Sequence, residues 1–314
     1  MTSAERARWN RTSKWRVRAA KYRQAGYWRR AFALTGMWAL LSGIMYVMIY
    51  PLLQVLAISV MTYRDMVNPM TVWLTRSFQW QNYVRAFTAM GYADALWNTA
   101  QIVLVAPLLQ LVSCSLTGYG FARFQFKERG LWFGVLLFSL LVPQQAISLP
   151  QFLLFKQFSM LNTYMPMIVP AALGQGLKSG LFIYIFRQFF RGLPKELEEA
   201  AYIDGCGFFK TFLRIMLPNA APAILTVFLF SFVWHFNDVF TVGMFTTSTS
   251  LATLPMRLIN IMAYLFEPGV ARDPVQYIPF KYAGIFLTIL PVLIVYLVGQ
   301  RFFVEGVERS GIVG

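Results

Sequence analysis

The chain has 314 residues, of which 57% are hydrophobic and 13% charged, with a formal net charge of +15. Soluble domains carry about 25% charged residues, so this deficit moves the chain from the globular class toward the membrane class. Placement of the positive charge argues against nucleic acid: ten of the 28 basic residues crowd into the first 30 positions.

That basic arm, residues 1–30, lacks the small-residue cleavage site of a signal peptide, so the apolar run behind it is expected to stay as an anchor. The arm's predicted role is to fix topology and touch anionic lipid. Six runs then contain no Asp, Glu, Lys or Arg: Ala31–Tyr63, Ala95–Ala122, Gly130–Phe155, Gln157–Leu177, Ile215–Asn237 and Tyr282–Gln300. A spanning helix needs about 20 apolar residues to cross about 30 Å of hydrocarbon. Backbone amides in lipid must be satisfied within their own segment, so the runs predict six transmembrane helices in an all-α polytopic protein. The alternation of a membrane barrel is absent. Twenty basic residues fall on the side of the N-terminus and seven on the other, with Lys178 inside a span. Positive charge is retained in the cytoplasm, so both termini are predicted to be cytoplasmic.

The first outer loop, Arg64–Asp94, contains "SFQWQNYVRAF", with Phe78, Trp80, Tyr83 and Phe87 at amphipathic spacing. It reads as an interfacial belt or as a docking surface for an outer partner. The fourth span surrounds Lys178 with Gly174, Gly176 and Gly180, a pattern for a kink or close helix packing. An ionisable side chain within a span is a functional candidate, against the alternative that it snorkels or pairs. The fifth span ends "SFVWHFNDVF". Asn237 and Asp238 mark the water boundary, or with Trp234 they line a polar passage; aromatic, amide and carboxylate together suit a sugar. Val239–Phe280, with "TTSTS" and "TLP", reads as one exposed connection, with a short surface helix at Leu258–Phe266. Cys114 and Cys206 are too far apart for a disulfide framework, and His235 is alone, so no catalytic or metal-ligating set is expected. No glycine-rich phosphate loop is present and no acid lies mid-span, so a transporter built on this chain must import its energy.

One segment is water-soluble. "PKELEEAAYIDGCGFFKTFLRIMLP" holds Glu196, Glu198, Glu199 and Asp204, four of the chain's 13 acids. Pro194 suits a first helical turn. The glutamates sit at the positive end of the helix dipole. Leu197, Ala200, Ala201 and Asp204 fall near one face, and the alanines let another surface approach closely. Gly205 is a helix stop in the left-handed conformation. Phe208–Met216 is a second short helix, and Pro218 opens the next span. The result is a helical hairpin, residues 193–218, at the membrane's inner face; the plainer alternative is a solvated connector.

"EAAYIDGCGFFKTFLRIMLP" resembles the cytoplasmic coupling loop of bacterial ABC importer permeases, with Glu199, Ala200, Ala201, Asp204, Gly205, Ile215, Leu217 and Pro218 matching the family pattern. "LTGYGFARF", "LNTYMPMIVP", "TLP" and "LPVLIVYLVGQRFFVEG" are similar to further parts of the family, in particular to the smaller permease of the maltose-type sugar branch. The resemblance implies the type I importer permease fold over residues 31–304 and a cytoplasmic tail at 305–314. It also implies a second, different permease, two copies of an ABC ATPase that bind ATP and Mg, and an extracytoplasmic binding protein delivering a saccharide. The chain would work in the bacterial cytoplasmic (inner) membrane, with no catalytic site of its own. Glu199, Ala200, Ala201, Asp204 and Gly205 would dock on the ATPase. Gln300, Arg301 and Gly306 would carry tail contacts to it, although "QRFFVEGVERSGIVG" departs from the usual Gly-x-Val-Lys-Gly ending. Lys178, Trp234, Asn237 and Asp238 would border the substrate path, and His235 in "WHFND" is a departure from the family. The alternatives are a permease of the same family for a non-sugar solute, and an ATP-independent channel or secondary transporter.

Overall fold

The computed structural model describes residues 3–68, 73, 75, 77–265 and 273–310; side chains are described at 26 and from 28 to 300 within those ranges. The described residues are helical and contain no strand. Residues 1–57 form one compact unit and residues 58–314 another.

The first unit is most of α1 (Ser3–Ser59), which carries Pro51 within it. Basic arm and first apolar run are thus one continuous helix, and its side chains from Phe32 to Leu56 are largely exposed. An apolar surface of this kind is stable against lipid or protein, not water.

The second unit begins with α2 (Tyr63–Met66), whose Thr62 and Asp65 make a reciprocal capping box. α3 (Gln81–Met90) stops at Gly91 in the left-handed conformation, and α4 (Tyr92–Arg123) follows at once. The expected first outer loop is therefore half helix. Its aromatics divide: Phe78, Trp80 and Phe87 are exposed, while the Tyr83 hydroxyl pairs with Ser59 Oγ at 2.7 Å. α5 (Arg129–Ser139) and α6 (Gln144–Gln157) meet at a 96° bend. α7 (Met165–Ala172) and α8 (Ser179–Gly192) follow. Then come α9 (Glu196–Ile203), α10 (Phe208–Thr211), a π-helical turn (Phe212–Met216) and α11 (Leu217–Asn219). α12 (Ala221–Asn237) leaves that run at 79°. The chain continues through α13 (Val239–Phe245), α14 (Leu254–Ile259) and α15 (Ile261–Leu265) to α16 (Ile278–Ser310).

Six continuous spanning helices are not what the described residues form. Three helices are long and apolar enough to cross a membrane, Trp28–Ser59, Tyr92–Arg123 and Pro274–Gln300, and each bent pair could supply one more. The run Gln157–Leu177 is interrupted by left-handed residues at Ser159, Asn162 and Gly174, so only the short α7 forms within it. Lys178 is likewise not within a continuous helix: it precedes α8 in the left-handed conformation, φ 60°. A second correction concerns Val239–Phe280. Its described part carries three whole α-helices, two 3-10 turns and the start of α16, and Val242, Phe245, Leu254 and Ile261 are buried. Side-chain amides satisfy its irregular backbone, with Asn162 Oδ1 accepting from Thr247 N at 2.8 Å and Asn98 Nδ2 donating to Ser250 O at 2.7 Å. Phe266, and Arg76 and Arg272 of the seven basic residues read as lying opposite the N-terminus, lie outside the described residues.

α4 is the axis of this unit, packed on α7, α8 and α12. Its largest buried cluster joins Cys114 and Tyr119 of α4 with Phe182, Ile183, Phe186 and Phe190 of α8 and Phe212 and Met216 of the hairpin. The α4–α8 crossing depends on Gly118. A Cβ there would stand 2.6 Å from Phe186 Cβ and 3.0 Å from the Arg187 nitrogen, whereas one at Gly134 of α5 would meet nothing within 4 Å. Gly118→Ala is therefore expected to destabilise the chain by about 1–3 kcal/mol through overpacking, while Gly134→Ala gains up to about 1 kcal/mol in helix propensity. Thermal unfolding of both variants in detergent checks this; equal midpoints would show that the crossing is not tight.

Candidate functional site

The hairpin forms because its local signals agree. Glu196, Glu198 and Glu199 occupy the first turn of α9, where carboxylates offset the helix dipole. The helix ends in a Schellman arrangement: Cys206 N donates to Ala201 O at 2.9 Å and Gly205 N to Tyr202 O at 3.0 Å, with Gly205 at φ +75°. Sequence reasoning located this stop, and the structure puts it at the expected residue.

The three glutamates then separate. Glu198 is buried, 7% exposed, while Glu196 and Glu199 face out. The Tyr119 hydroxyl donates to Glu198 Oε1, and Arg123 Nε lies 3.1 Å from Glu198 Oε2 as an ion pair lacking hydrogen-bond alignment. Arg123 Nη2 also donates to Leu193 O at 2.7 Å, tying down the segment that enters the hairpin. Tyr119 itself is fully buried, stacked on Phe208 at 5.3 Å and Phe212 at 5.2 Å, with Phe190 edge-on at 5.4 Å. The end of α4 thus grips both arms of the hairpin. Sequence reading missed this anchor; its only local sign is Tyr119 and Arg123 at i, i+4, which puts them on one helix face.

What remains exposed is Glu199, Ala200 and Asp204 together with Tyr202, Ile203, Phe209 and Leu213; Ile203 is 86% exposed. Ala201 is turned inward at 2% exposure, so of the two alanines only Ala200 is on the outer surface. Lys210 and Arg214 add positive charge beside the apolar tip. A small carboxylate-flanked apolar knob suits insertion into a cleft of a partner protein.

The four residues expected at a substrate path do not converge. Lys178 Nζ stands 5.8 Å from the Trp234 ring, and Trp234 packs on Phe182 and Phe230. Asn237 is exposed and bonds back to Val233 O at 2.8 Å. Asp238 alone reaches a cavity, of about 40 Å³, lined among others by Gln144, Gln151, Gln175, His235 and Thr241. Asp238 Oδ1 accepts from Thr241 N at 2.9 Å, and Gln144 Nε2 donates to Thr241 Oγ1 at 3.1 Å. His235 is buried, with Nδ1 2.8 Å from Ser231 O. A carbonyl only accepts, so Nδ1 carries the proton and Nε2 of the neutral ring is an acceptor. Ser231 Oγ donates to Gln110 Oε1 at 2.6 Å, and Gln110 Nε2 donates to Leu177 O and Ser179 Oγ at 2.9 and 2.6 Å. The fully buried Gln110 thereby ties α4, α12 and the break before α8 into one satisfied network. Among the described residues no group of His, Cys, Asp or Glu could hold a metal ion. Cys114 and Cys206 are free. Gln300 is an exposed residue of α16; Arg301 and Gly306 continue that helix beyond the residues whose surroundings are described.

Helices long and apolar enough to cross a membrane, together with a hairpin fastened to the end of α4, mark the chain as a membrane component. Residues 114–309 match the family described as binding-protein-dependent transport system inner membrane component, and the chain belongs to that family. It is 31% identical over 234 residues to the arabinooligosaccharides transport system permease protein AraQ of Halalkalibacterium halodurans, covering 74% of this chain and 79% of that one. The lactose transport system permease protein LacG of Rhizobium radiobacter is 29% identical, covering 73% and 79%. In fold the chain is similar to a bacterial ABC transporter involved in the import of the acidic polysaccharide alginate, with a TM-score of 0.73 at 19% identity over 87% of this chain and 97% of that one.

The anchor makes a quantitative prediction. Glu198→Ala leaves Arg123 without its carboxylate and is expected to cost about 3–5 kcal/mol, whereas Glu198→Leu combined with Arg123→Leu costs less than the sum of the two single changes. A double-mutant cycle on thermal unfolding in detergent measures it. Additive costs would mean that the two side chains do not interact.

Proposed function

We propose that this chain is one of two different permease subunits of an ATP-driven importer, and that its cargo is a saccharide handed over by an extracytoplasmic binding protein. Membership in the binding-protein-dependent family supports the importer reading, and the sugar-named relatives support the cargo class. The observation that carries the mechanism is the clamped hairpin with Glu199, Ala200 and Asp204 on its outer surface. In this reading two copies of an ABC ATPase bind ATP and Mg on the cytoplasmic side of the bacterial inner membrane. ATP-driven closure of those subunits pushes the hairpin, and Glu199 meets a basic group in the ATPase cleft. The clamp on Glu198 passes the push to α4 and α8 as a rigid-body motion. The permease contributes no catalysis; hydrolysis belongs to its partners.

Around the cavity, His235 Nε2 and Asp238 are acceptors for hydroxyl donors, and the glutamine amides both donate and accept. That chemistry fits a saccharide edge or the water that escorts it. At about 40 Å³ the space has room for no more than a few waters, so this reading gives the subunit an edge contact and leaves most of the ring to the partner permease. Lys178 and Trp234 stand near the break before α8 and take part through its shape.

Purification of the complex and reconstitution into vesicles tests the proposal. The expected outcome is co-purification of an ATPase and a second permease, with uptake that requires ATP and the binding protein. Glu199→Lys should leave the chain folded and in the membrane and lower ATP-driven uptake by at least about tenfold, the equivalent of a lost charge-assisted contact. Uptake by the chain without any ATPase would contradict the reading. A second measurement separates the cargo assignment: Asp238→Asn should raise KM for the saccharide with kcat for ATP hydrolysis unchanged, and an unaltered KM would remove the cavity from the path.

A further inference from the structure

A second charged feature lies near the hairpin, on the seam between α5 and α8. The two helices run antiparallel, and their contacts fix a register. Gly180 faces Leu140 and Leu136, with a Cβ there only 2.9 Å from Leu140 Cδ2. One turn on, Tyr184 stacks on Phe133 at 6.3 Å, and Arg187 lies over the same ring with its guanidinium carbon 3.8 Å from the centroid. Continuing that register by one further turn brings Arg191 of α8 opposite Arg129 of α5. Three guanidinium groups therefore gather where the seam opens toward the hairpin.

No carboxylate balances them. Arg129, Arg187 and Arg191 make no ion pair among the described residues. Arg129 Nη1 donates to Phe124 O at 2.9 Å. Arg187 Nη1 reaches only Gln188 Oε1, at 3.4 Å, and its Nε is buried without a hydrogen-bond partner. Glu128, the adjacent acid, is exposed and pairs with none of the three. Holding like charges together without a counter-ion is costly near a low-dielectric surface. Behind the seam, on the side of α5 turned away from α8, lies an exposed apolar face. Leu131, Trp132, Val135 and Phe138 of α5 are all more than half exposed and run away from the arginines along the same short helix.

We propose that this seam is a binding site for an anionic phospholipid, with the headgroup phosphate held by Arg129, Arg187 and Arg191 and the acyl chains lying on the apolar face of α5. Guanidinium groups match phosphate oxygens in charge and in planar donor geometry, and a cationic cluster at the end of an exposed apolar helix, itself half of a bent pair apolar enough to cross a membrane, is the complement of a lipid rather than of a soluble anion. The site is separate from the hairpin's outer surface and from the cavity beside His235. It does not depend on the transport reading.

The test uses the full-length chain in detergent micelles, titrated with phosphatidylglycerol or phosphatidylcholine, with bound lipid counted by native mass spectrometry. Phosphatidylglycerol is expected to bind at least about fivefold more tightly than phosphatidylcholine, and Arg187→Gln and Arg191→Gln each to lower its affinity by about fivefold without changing phosphatidylcholine binding. Arg191 is exposed, so its variant keeps the test valid if Arg187→Gln does not fold. Equal binding of the two lipids, or full phosphatidylglycerol affinity in Arg191→Gln, would overturn the proposal. Displacement by equimolar sodium phosphate would assign the arginines to a free anion. Loss of bound phosphatidylglycerol on assembly into the full complex would assign them to a protein partner. Either result also overturns it.

Discussion

The buried carboxylate of Glu198 is the contact on which the hairpin's position depends. It lies 79 residues from Tyr119 in sequence, yet it joins the last turn of α4 to the helix that carries Glu199. Charge alone does not make such a pair favourable, because desolvating both ions offsets most of their attraction. What it provides is uniqueness. Tyr119 satisfies one carboxylate oxygen, Arg123 faces the other, and Arg123 also holds the backbone at Leu193. Phe190, Phe208 and Phe212 close around the phenol ring. A hairpin held only by apolar contact could slide; this one has a single seated position.

From that fixed point the organisation of the larger unit follows. α8 runs from the break at Lys178 to the hairpin and lies on α4 across Gly118. The Gln110 network secures the break at the other end of α8, where Leu177 and Gln175 border the cavity. Cavity and hairpin are therefore two ends of one packed element, each fastened to α4 by buried polar contacts. That is the arrangement a lever requires, and it is why the proposed function assigns motion to α4, α8 and the hairpin as one body.

Much of this was legible in the sequence, and the parts that were not share a cause. The Schellman turn at Gly205, the glutamates opening α9 and the second helix from Phe208 are local features, set by residues within one or two turns of each other. The family likeness rested on the same stretch. The bends between α5 and α6 and on either side of α7 left no trace in a charge count, because Leu140, Ser159 and Asn162 are as uncharged as a spanning helix. The burial of Val242 and Leu254 was hidden by the serines and threonines between them, whose backbone is satisfied by the distant Asn98 and Asn162. Glu198 was hidden by its neighbours: three acids in four positions look alike until α4 selects one of them. The path residues scattered for a similar reason. Adjacent positions on α12 point to different faces, so Trp234 meets Lys178 while His235 and Asp238 meet the cavity.

The most direct measurement of the central claim is the distance between the hairpin and α4 through the transport cycle. Spin labels at Ile203→Cys and Leu104→Cys, both exposed sites, in a Cys206→Ser background, would report it in the assembled complex with and without ATP. The account predicts one narrow distance that stays fixed within about 2 Å as nucleotide binds, since rigid bodies carry their internal distances with them. A shift larger than that, or a broad distribution that narrows only with ATP, would show that the hairpin moves independently of α4 and would contradict the role given to Glu198.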